Sequence, residues 1–144
     1  MTGAMTAREV RNIGLLLNVP MFAGLSPEAM GPVAAAVVER RFEDGAVIFE
    51  EGEEGEELFV IAEGRVRVVR EGQVLATLGP RECLGEMAVI DGGARSASAV
   101  AWGSVTLLAM ARDRFEGLLA LHPGLARGVL AVLARRLRAA NAEG

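Results

Sequence analysis

The chain has 144 residues, of which 51% are hydrophobic and 24% charged, and its formal net charge is -4. This length and composition predict one globular domain with a hydrophobic core and exclude a disordered or fibrous chain. All 15 basic residues are arginines, and the absence of lysine excludes a Walker phosphate loop and Schiff-base catalysis. Nucleic-acid binding needs a concentrated basic surface, so we expect none by this chain alone.

The sequence carries no sign of a membrane or secretory segment. No apolar run approaches the roughly 20 residues of a membrane span, and the N-terminal segment MTGAMTAREVRN lacks the apolar core of a signal peptide. We therefore expect a soluble, cytoplasmic protein that makes no membrane contact by this chain alone. The single cysteine, Cys83, cannot form an internal disulfide, which is consistent with a reducing compartment.

The N-terminal segment, residues 5–38, is predicted to contain two helices. Apolar residues recur at helical spacing in residues 5–19. Ser26 and Pro27 then occupy the positions of an N-cap and of the first residue of a second helix. We expect these helices to precede the rest of the fold.

The C-terminal segment, residues 111–142, returns to helical periodicity. Pro123 and Gly124 are expected to separate two helices in this segment. The apolar positions that would support a homodimer, or equally would pack within the domain, are Leu130, Leu133 and Leu137.

The middle of the chain, residues 39–110, is predicted to be β-structure. Runs rich in β-branched residues, such as LFVIA and RVRVVR, alternate with turn-forming sequences, and RSASAVA and SVTLLAM resemble later strands. The alternation in RVRVV predicts that Val66 and Val68 face one side of their strand and the arginines the other. Many short strands in sequence predict an antiparallel sandwich or barrel, so the fold class is α+β and mainly β.

Few residues are suited to catalysis or metal binding. His122, the only histidine, lies at a predicted helix junction, where a structural role is favoured, and Cys83 has no nearby histidine to activate its thiol. The acidic run EEGEEGEE, residues 50–57, is compatible with calcium binding, but a solvated turn is favoured because calcium loops alternate ligands with spacers. We predict no catalytic residue, no enzyme activity and no bound metal.

The segment GEMAVIDGGARSA, residues 85–97, contains one arginine among small and apolar residues. Either water or an anion is expected to satisfy the charge of Arg95. A short helix starting near Gly85 would offer free N–H groups to an anion, and the Arg95 fork can bind phosphate oxygens in pairs. Glu86 would then accept a hydrogen bond from a ribose 2′-OH of the same ligand. A structural salt bridge between Glu86 and Arg95 agrees equally well with these residues.

The segment LGEMAVIDGGARSA, residues 84–97, resembles the phosphate-binding cassette of the cyclic nucleotide-binding domain family. This family includes bacterial catabolite activators, protein kinase A regulatory subunits and cyclic nucleotide-gated channels, and its pattern is Gly-Glu-x-Ala, a spacer, then Arg-(Ser/Thr/Ala)-Ala. The matching positions are Gly85, Glu86, Ala88, Arg95, Ser96 and Ala97. The glycines of residues 42–68 and the segment NVPMFAGLSPE are also similar to the family. The resemblance implies an eight-stranded antiparallel, jelly-roll-like β-roll flanked by N-terminal and C-terminal helices, in one domain of residues 1–144.

The resemblance also implies a ligand and its contacts. Arg95 would pair with the cyclic phosphate, and Glu86 would accept a hydrogen bond from the ribose 2′-OH. The groups that would complete the phosphate and ribose shell are Gly85, the backbone amides of Met87, Ala88 and Ala97, and the Ser96 hydroxyl. The expected purine contacts are Leu84, Val66, Val68, Arg135 and Arg138.

Cyclic AMP is expected in preference to cyclic GMP, because family members that prefer cyclic GMP often carry threonine where Ser96 stands. In the family the last helix moves to cap the bound base. The chain is therefore expected to be a regulatory module that acts on an effector the sequence does not identify. Two alternatives are a ligand-independent interaction module and the truncated sensor part of a transcription regulator.

Overall fold

The computed structural model describes residues 6–143, without the side chains of Asp91, Ala140, Ala142 and Glu143. Internal contacts divide the chain into two compact units. One is helical and contains the described residues up to Ala35 and from Phe115 onward, and the other is the β-roll, Ala36–Arg114. The prediction of one domain spanning residues 1–144 stays a prediction.

The predicted helices are present at both ends of the chain. They are α1 (Ala7–Leu16), α2 (Pro27–Ala36), α4 (Arg112–Leu121) and α5 (Pro123–Glu143), with a short 3-10 turn at Pro20–Phe22. A capping box starts α1, because the Thr6 side chain accepts from the Glu9 N–H while the Glu9 carboxylate accepts from the Thr6 N–H. The start of α2 at Pro27 confirms the prediction from sequence.

The break between α4 and α5 differs in detail from the prediction. Pro123 is the first residue of α5, where its missing N–H costs no hydrogen bond, and Gly124 lies inside the helix. A Cβ at Gly124 would collide with the Gly24 carbonyl, and one at Gly128 would collide with the Met21 carbonyl. Glycine is therefore needed at position 124 because the backbone of Gly24 lies close to it, and not because the chain turns there.

The β-roll contains six strands among the described residues, and every pair is antiparallel. Their order is β1-β6-β3-β4, with β2 paired to β6 and β5 paired to β3. The strands are β1 (Val37–Phe42), β2 (Val47–Phe49), β3 (Glu57–Arg70), β4 (Gln73–Leu78), β5 (Cys83–Leu84) and β6 (Ser98–Ala111). A six-residue helix, α3 (Glu86–Asp91), lies between β5 and β6. The mainly β fold with flanking helices is confirmed.

Two strands are longer than the sequence pattern predicts. LFVIA and RVRVVR join into β3, and most of RSASAVA joins SVTLLAM in β6. The residues between the runs, Gly64 and Gly103, have φ values of 91° and 82°, and the β3–β6 register shifts near Gly64. A positive-φ glycine therefore lies where the two runs of each strand join, and the β3–β6 register shifts there, which is typical of a bent strand. Counting each bent strand as two gives the eight strands that the resemblance implies.

The interior of the β-roll is packed with side chains from β3, β5 and β6. The buried cluster contains Phe59, Ile61, Val66, Leu84, Ala99, Ala101, Val105, Leu107 and Ala109. Val66 is fully buried and Arg65 is exposed, as the alternation predicts. Arg67 and Val68 are both half-buried, so their burial does not alternate as simply as that of Arg65 and Val66, and the register with β4 shifts after Val68.

In the described part of the chain, no single helix is long and apolar enough to cross a membrane. Two helical segments reach the length and apolar composition of a membrane span only when they are counted together, Arg112–Leu121 and Pro123–Ala139. The chain bends by 115° between them.

Candidate functional site

The cassette is a strand, a sharp turn and a short helix. β5 ends at Leu84, and Gly85 then adopts a left-handed conformation with φ of 81° before α3 begins at Glu86. A Cβ at Gly85 would collide with Nη1 of Arg95. Gly85 is therefore required both by its backbone angle and by the close approach of the arginine.

Arg95 is a buried arginine, with only 6% of its surface exposed. Its Nη1 donates to the Gly85 carbonyl at 2.9 Å, and its Nη2 donates to the Glu57 carbonyl at 2.6 Å. The guanidinium also lies 4.1 Å above the ring of Phe49. Backbone carbonyls, rather than the water or anion considered from the sequence, accept from two of its donors. The Nε atom is buried and has no hydrogen-bond partner among the described residues.

Burial also changes the acidity of Arg95. Desolvation lowers the pKa of its guanidinium from the ordinary value, while the carboxylates of Glu53 and Glu57 raise it in part. Arginine starts from so high a pKa that the side chain stays charged at neutral pH. The site therefore holds a buried cation whose charge the surrounding carbonyls compensate incompletely.

The acidic run, residues 50–57, forms a loop that pairs with the backbone around Arg95. The Arg95 N–H donates to the Glu53 carbonyl at 2.7 Å, and the Gly52 N–H donates to the Arg95 carbonyl at 2.9 Å. Within the loop, the Glu53 carboxylate accepts from the Glu50 N–H at 2.7 Å. No three His, Cys, Asp or Glu residues converge as a metal site in the described ranges.

The matched residues of the cassette differ widely in exposure. Glu86 is 1% exposed, Ala88 is 5% exposed and Ala97 is 6% exposed, whereas Ser96 lies on the surface, as does Met87 at the variable position of the motif. A carboxylate this deeply buried needs a structural or a ligand-binding role to offset its desolvation. Arg95 is hydrogen-bonded to the Gly85 carbonyl, and Glu86 follows Gly85 as the first residue of α3.

The residues expected to contact the purine lie in three places. Leu84 and Val66 are packed in the roll core, with 3% and 0% exposure, and Val68 is half-buried on the same strand as Val66. Arg135 and Arg138 lie on exposed positions of α5 in the helical unit. Their contacts with a purine stay predictions.

Several residues of the site were not found from the sequence. Phe49 and Phe59 form a stacked pair with ring centroids 6.0 Å apart, and Arg95 lies over both rings. Arg112 donates to the carbonyls of Gly55 and Ala88. The only sequence signal was that Phe49 precedes the acidic run and Gly55 lies within it, because the other contacts join residues far apart in the chain.

The chain is similar to several known proteins. Residues 39–122 match the family model of the cyclic nucleotide-binding domain. The cyclic AMP receptor protein of Thermus thermophilus is 40% identical over 129 residues, 86% of this chain and 60% of that protein. A cyclic nucleotide-gated potassium channel of Mesorhizobium japonicum is 38% identical over 117 residues, 81% of this chain and 32% of the channel.

A solved structure agrees with these matches. The crystal structure of the Thermus thermophilus catabolite activator protein has a TM-score of 0.79 and 42% identity, and the match covers 86% of this chain and 61% of that chain. This chain spans about 60% of the length of the first curated relatives. The matched range contains the whole cassette and most of the β-roll. The chain therefore belongs to the cyclic nucleotide-binding domain family, whose members are regulatory domains.

Proposed function

We propose that this chain is a cyclic AMP sensor, in which the cassette binds the nucleotide and the C-terminal helices respond. The similarity of the chain to a cyclic AMP receptor protein and to a cyclic nucleotide-gated channel supports the proposal. Serine at position 96 favours cyclic AMP over cyclic GMP by the family pattern. The effector differs between these two relatives, so the effector of this chain is left open.

The observation that carries the proposal is the buried guanidinium of Arg95. It is 6% exposed, and among the described residues it donates to two neutral carbonyls, those of Gly85 and Glu57. Hydrogen bonds from a guanidinium to phosphate oxygens are about twice as strong as those to neutral acceptors. A cyclic phosphate would therefore take over donors that the carbonyls accept from now, and would compensate the buried charge.

Glu86 is proposed to select ribose. Its carboxylate is 1% exposed and is the first residue of α3, next to Gly85. A carboxylate accepts hydrogen bonds and repels further negative charge, so it suits a hydroxyl beside a singly charged phosphate. The amides of Met87, Ala88 and Ala97 and the Ser96 hydroxyl are proposed to complete this shell.

The purine is proposed to contact the hydrophobic and basic residues predicted from the sequence. These are Leu84, Val66, Val68, Arg135 and Arg138. Arginine stacking on a purine would couple α5 to the occupied site. Among the exposed apolar residues of α5 are Leu130 and Leu137, at 65% and 63%, and we propose that they support a homodimer.

Calorimetric titration tests the proposal directly. A ligand of about 22 heavy atoms at roughly 0.3 kcal/mol each predicts a Kd near ten micromolar or tighter. Nucleotide-free protein, checked by mass spectrometry, should bind cyclic AMP more tightly than cyclic GMP, and 5′-AMP should bind weakly because of its second negative charge. Absence of heat with both cyclic nucleotides, in folded protein, would refute the proposal.

A further inference from the structure

Arg112, the first residue of α4, holds two separate parts of the β-roll together. Its Nη2 donates to the Gly55 carbonyl at 2.7 Å and to the Ala88 carbonyl at 2.9 Å. Its backbone N–H donates to the Glu56 carbonyl at 2.8 Å. One residue at a helix start therefore binds both the end of the acidic loop and the cassette helix α3.

The loop and the cassette helix meet without space between them at this point. A Cβ at Gly55 would collide with Cβ of Ala88. Nη2 of Arg112 donates both of its hydrogens, one to the Gly55 carbonyl and one to the Ala88 carbonyl. The Nε atom of Arg112 is buried without a partner among the described residues. The hydrogen bonds to the Gly55 and Ala88 carbonyls therefore fix the position of the guanidinium.

Two of the carbonyls that Arg112 binds are next in the chain to one of the two carbonyls that Arg95 binds. Gly55 and Glu56 accept from Arg112, and the next residue, Glu57, accepts from Nη2 of Arg95 at 2.6 Å. Three successive carbonyls thus link the arginine proposed to bind phosphate to the arginine that begins α4. The two guanidiniums carry like charges, so Arg112 adds to the lowering of the Arg95 pKa, which is caused mainly by desolvation.

We propose that Arg112 is the positioning residue that couples occupation of the cassette to α4. The inference rests on the proposed binding of a cyclic nucleotide. When phosphate oxygens draw the Arg95 donors from the Glu57 carbonyl, the strip of residues 55–57 and the cassette helix are released to move together. Arg112 is bonded to both, so it transmits that movement to the first turn of α4.

Calorimetry combined with hydrogen exchange tests the inference on the full chain. Wild type should bind cyclic AMP and change the exchange of α4 amides when it does. Arg112→Gln should weaken binding about tenfold and remove the α4 response, because a neutral amide cannot replace the charged fork. The matched control is Arg114→Gln, an exposed arginine of the same helix, which should behave as wild type in both measurements.

Arg112→Lys separates positioning from charge. It keeps the positive charge, but its single nitrogen ends one bond short of the position of Nη2, so we expect an affinity between those of wild type and Arg112→Gln, with a reduced α4 response. Full wild-type behaviour of this variant would show that charge alone matters and would overturn the inference. An unchanged α4 response in Arg112→Gln would also overturn the inference. If Arg112→Gln fails to fold, the lysine variant alone decides. Failure of wild type to bind would instead refute the proposed function.

Discussion

Two arginines of the β-roll lie over aromatic rings, yet their surroundings are opposite. Arg95 is 4.1 Å from the Phe49 ring centroid and Arg67 is 3.8 Å from that of Trp102. Arg95 is 6% exposed and lies in the cassette, whereas Arg67 is half-buried beside a tryptophan that is 47% exposed. The same cation-π contact therefore occurs in a desolvated site and at the surface.

The difference lies in what an anion would gain at each position. At Arg67, water competes with any ligand and screens its charge. At Arg95, burial has already removed water, and neutral carbonyls replace it incompletely. A buried, preorganised cation is thus the better anion site, and variants at the two positions or in their immediate surroundings should differ accordingly.

The largest effect is expected from Arg95→Ala. Loss of charge-assisted hydrogen bonds worth about 3 kcal/mol should weaken cyclic AMP binding by about 100-fold or more, as measured by calorimetry. Arg67→Ala is the control and should leave the Kd within about twofold, because its contact lies outside the cassette. Equal losses in the two variants would show that the guanidinium contacts are equivalent and would contradict the comparison.

A smaller effect on binding is expected from Gly85→Ala. The left-handed φ and the collision with Arg95 together should displace the guanidinium and weaken cyclic AMP binding about tenfold, at about 1–3 kcal/mol of strain. Gly45→Ala is a matched control, because its φ is also 81° but nothing lies within 4 Å of the added Cβ. It should lose stability in thermal unfolding and keep its affinity. A similar Kd for both variants would show that backbone strain alone matters.

Glu86→Ala should change selectivity. Wild type is expected to prefer cyclic AMP to its 2′-deoxy analogue by about tenfold, the contribution of one hydrogen bond to a charged acceptor. The variant should bind both nucleotides with one similar, weaker affinity, measured by competition titration. Glu63→Ala, at an exposed position of β3, should keep the wild-type preference. Equal loss of affinity for both nucleotides, with the preference intact, would indicate a structural salt bridge instead.

The smallest effect is expected from Arg67→Ala, and it concerns the stability of the β-roll. Arg67→Ala should lower the free energy of unfolding by about 0.5–1 kcal/mol, which is typical of a partly exposed cation-π pair. Urea unfolding followed by circular dichroism, with Arg70→Ala at the exposed end of the strand as the control, measures this value. A loss above about 3 kcal/mol would show that Arg67 is a core residue, contrary to the comparison.

Much of the fold was predictable from local patterns. Helical spacing located the terminal helices, and Pro27 marked a helix start because a residue without an N–H is tolerated there. The length of the strands was not predictable, because Gly64 and Gly103 look like turn residues in isolation. Only the structure shows that β3 and β6 pair on both sides of these glycines, so that the two runs of each strand join into one.

The site shows the same division. The cassette motif identified Gly85, Glu86 and Arg95 because these residues lie within eleven positions of one another. The groups that hold Arg95, namely the Glu57 carbonyl and the Phe49 ring, come from the acidic run and the strand before it. No spacing rule links residues 38 positions apart, so these partners were visible only in the structure.

By itself, the sequence determined the fold class, the family likeness and the position of the cassette. Periodicity and short motifs are local, and each is set by the backbone preferences of neighbouring residues. The tertiary structure alone decided how the Arg95 charge is held, and it alone placed Arg112 against both the acidic loop and the cassette helix. Burial and hydrogen-bond partners depend on which distant segments pack together, and folding settles that packing cooperatively over the whole roll.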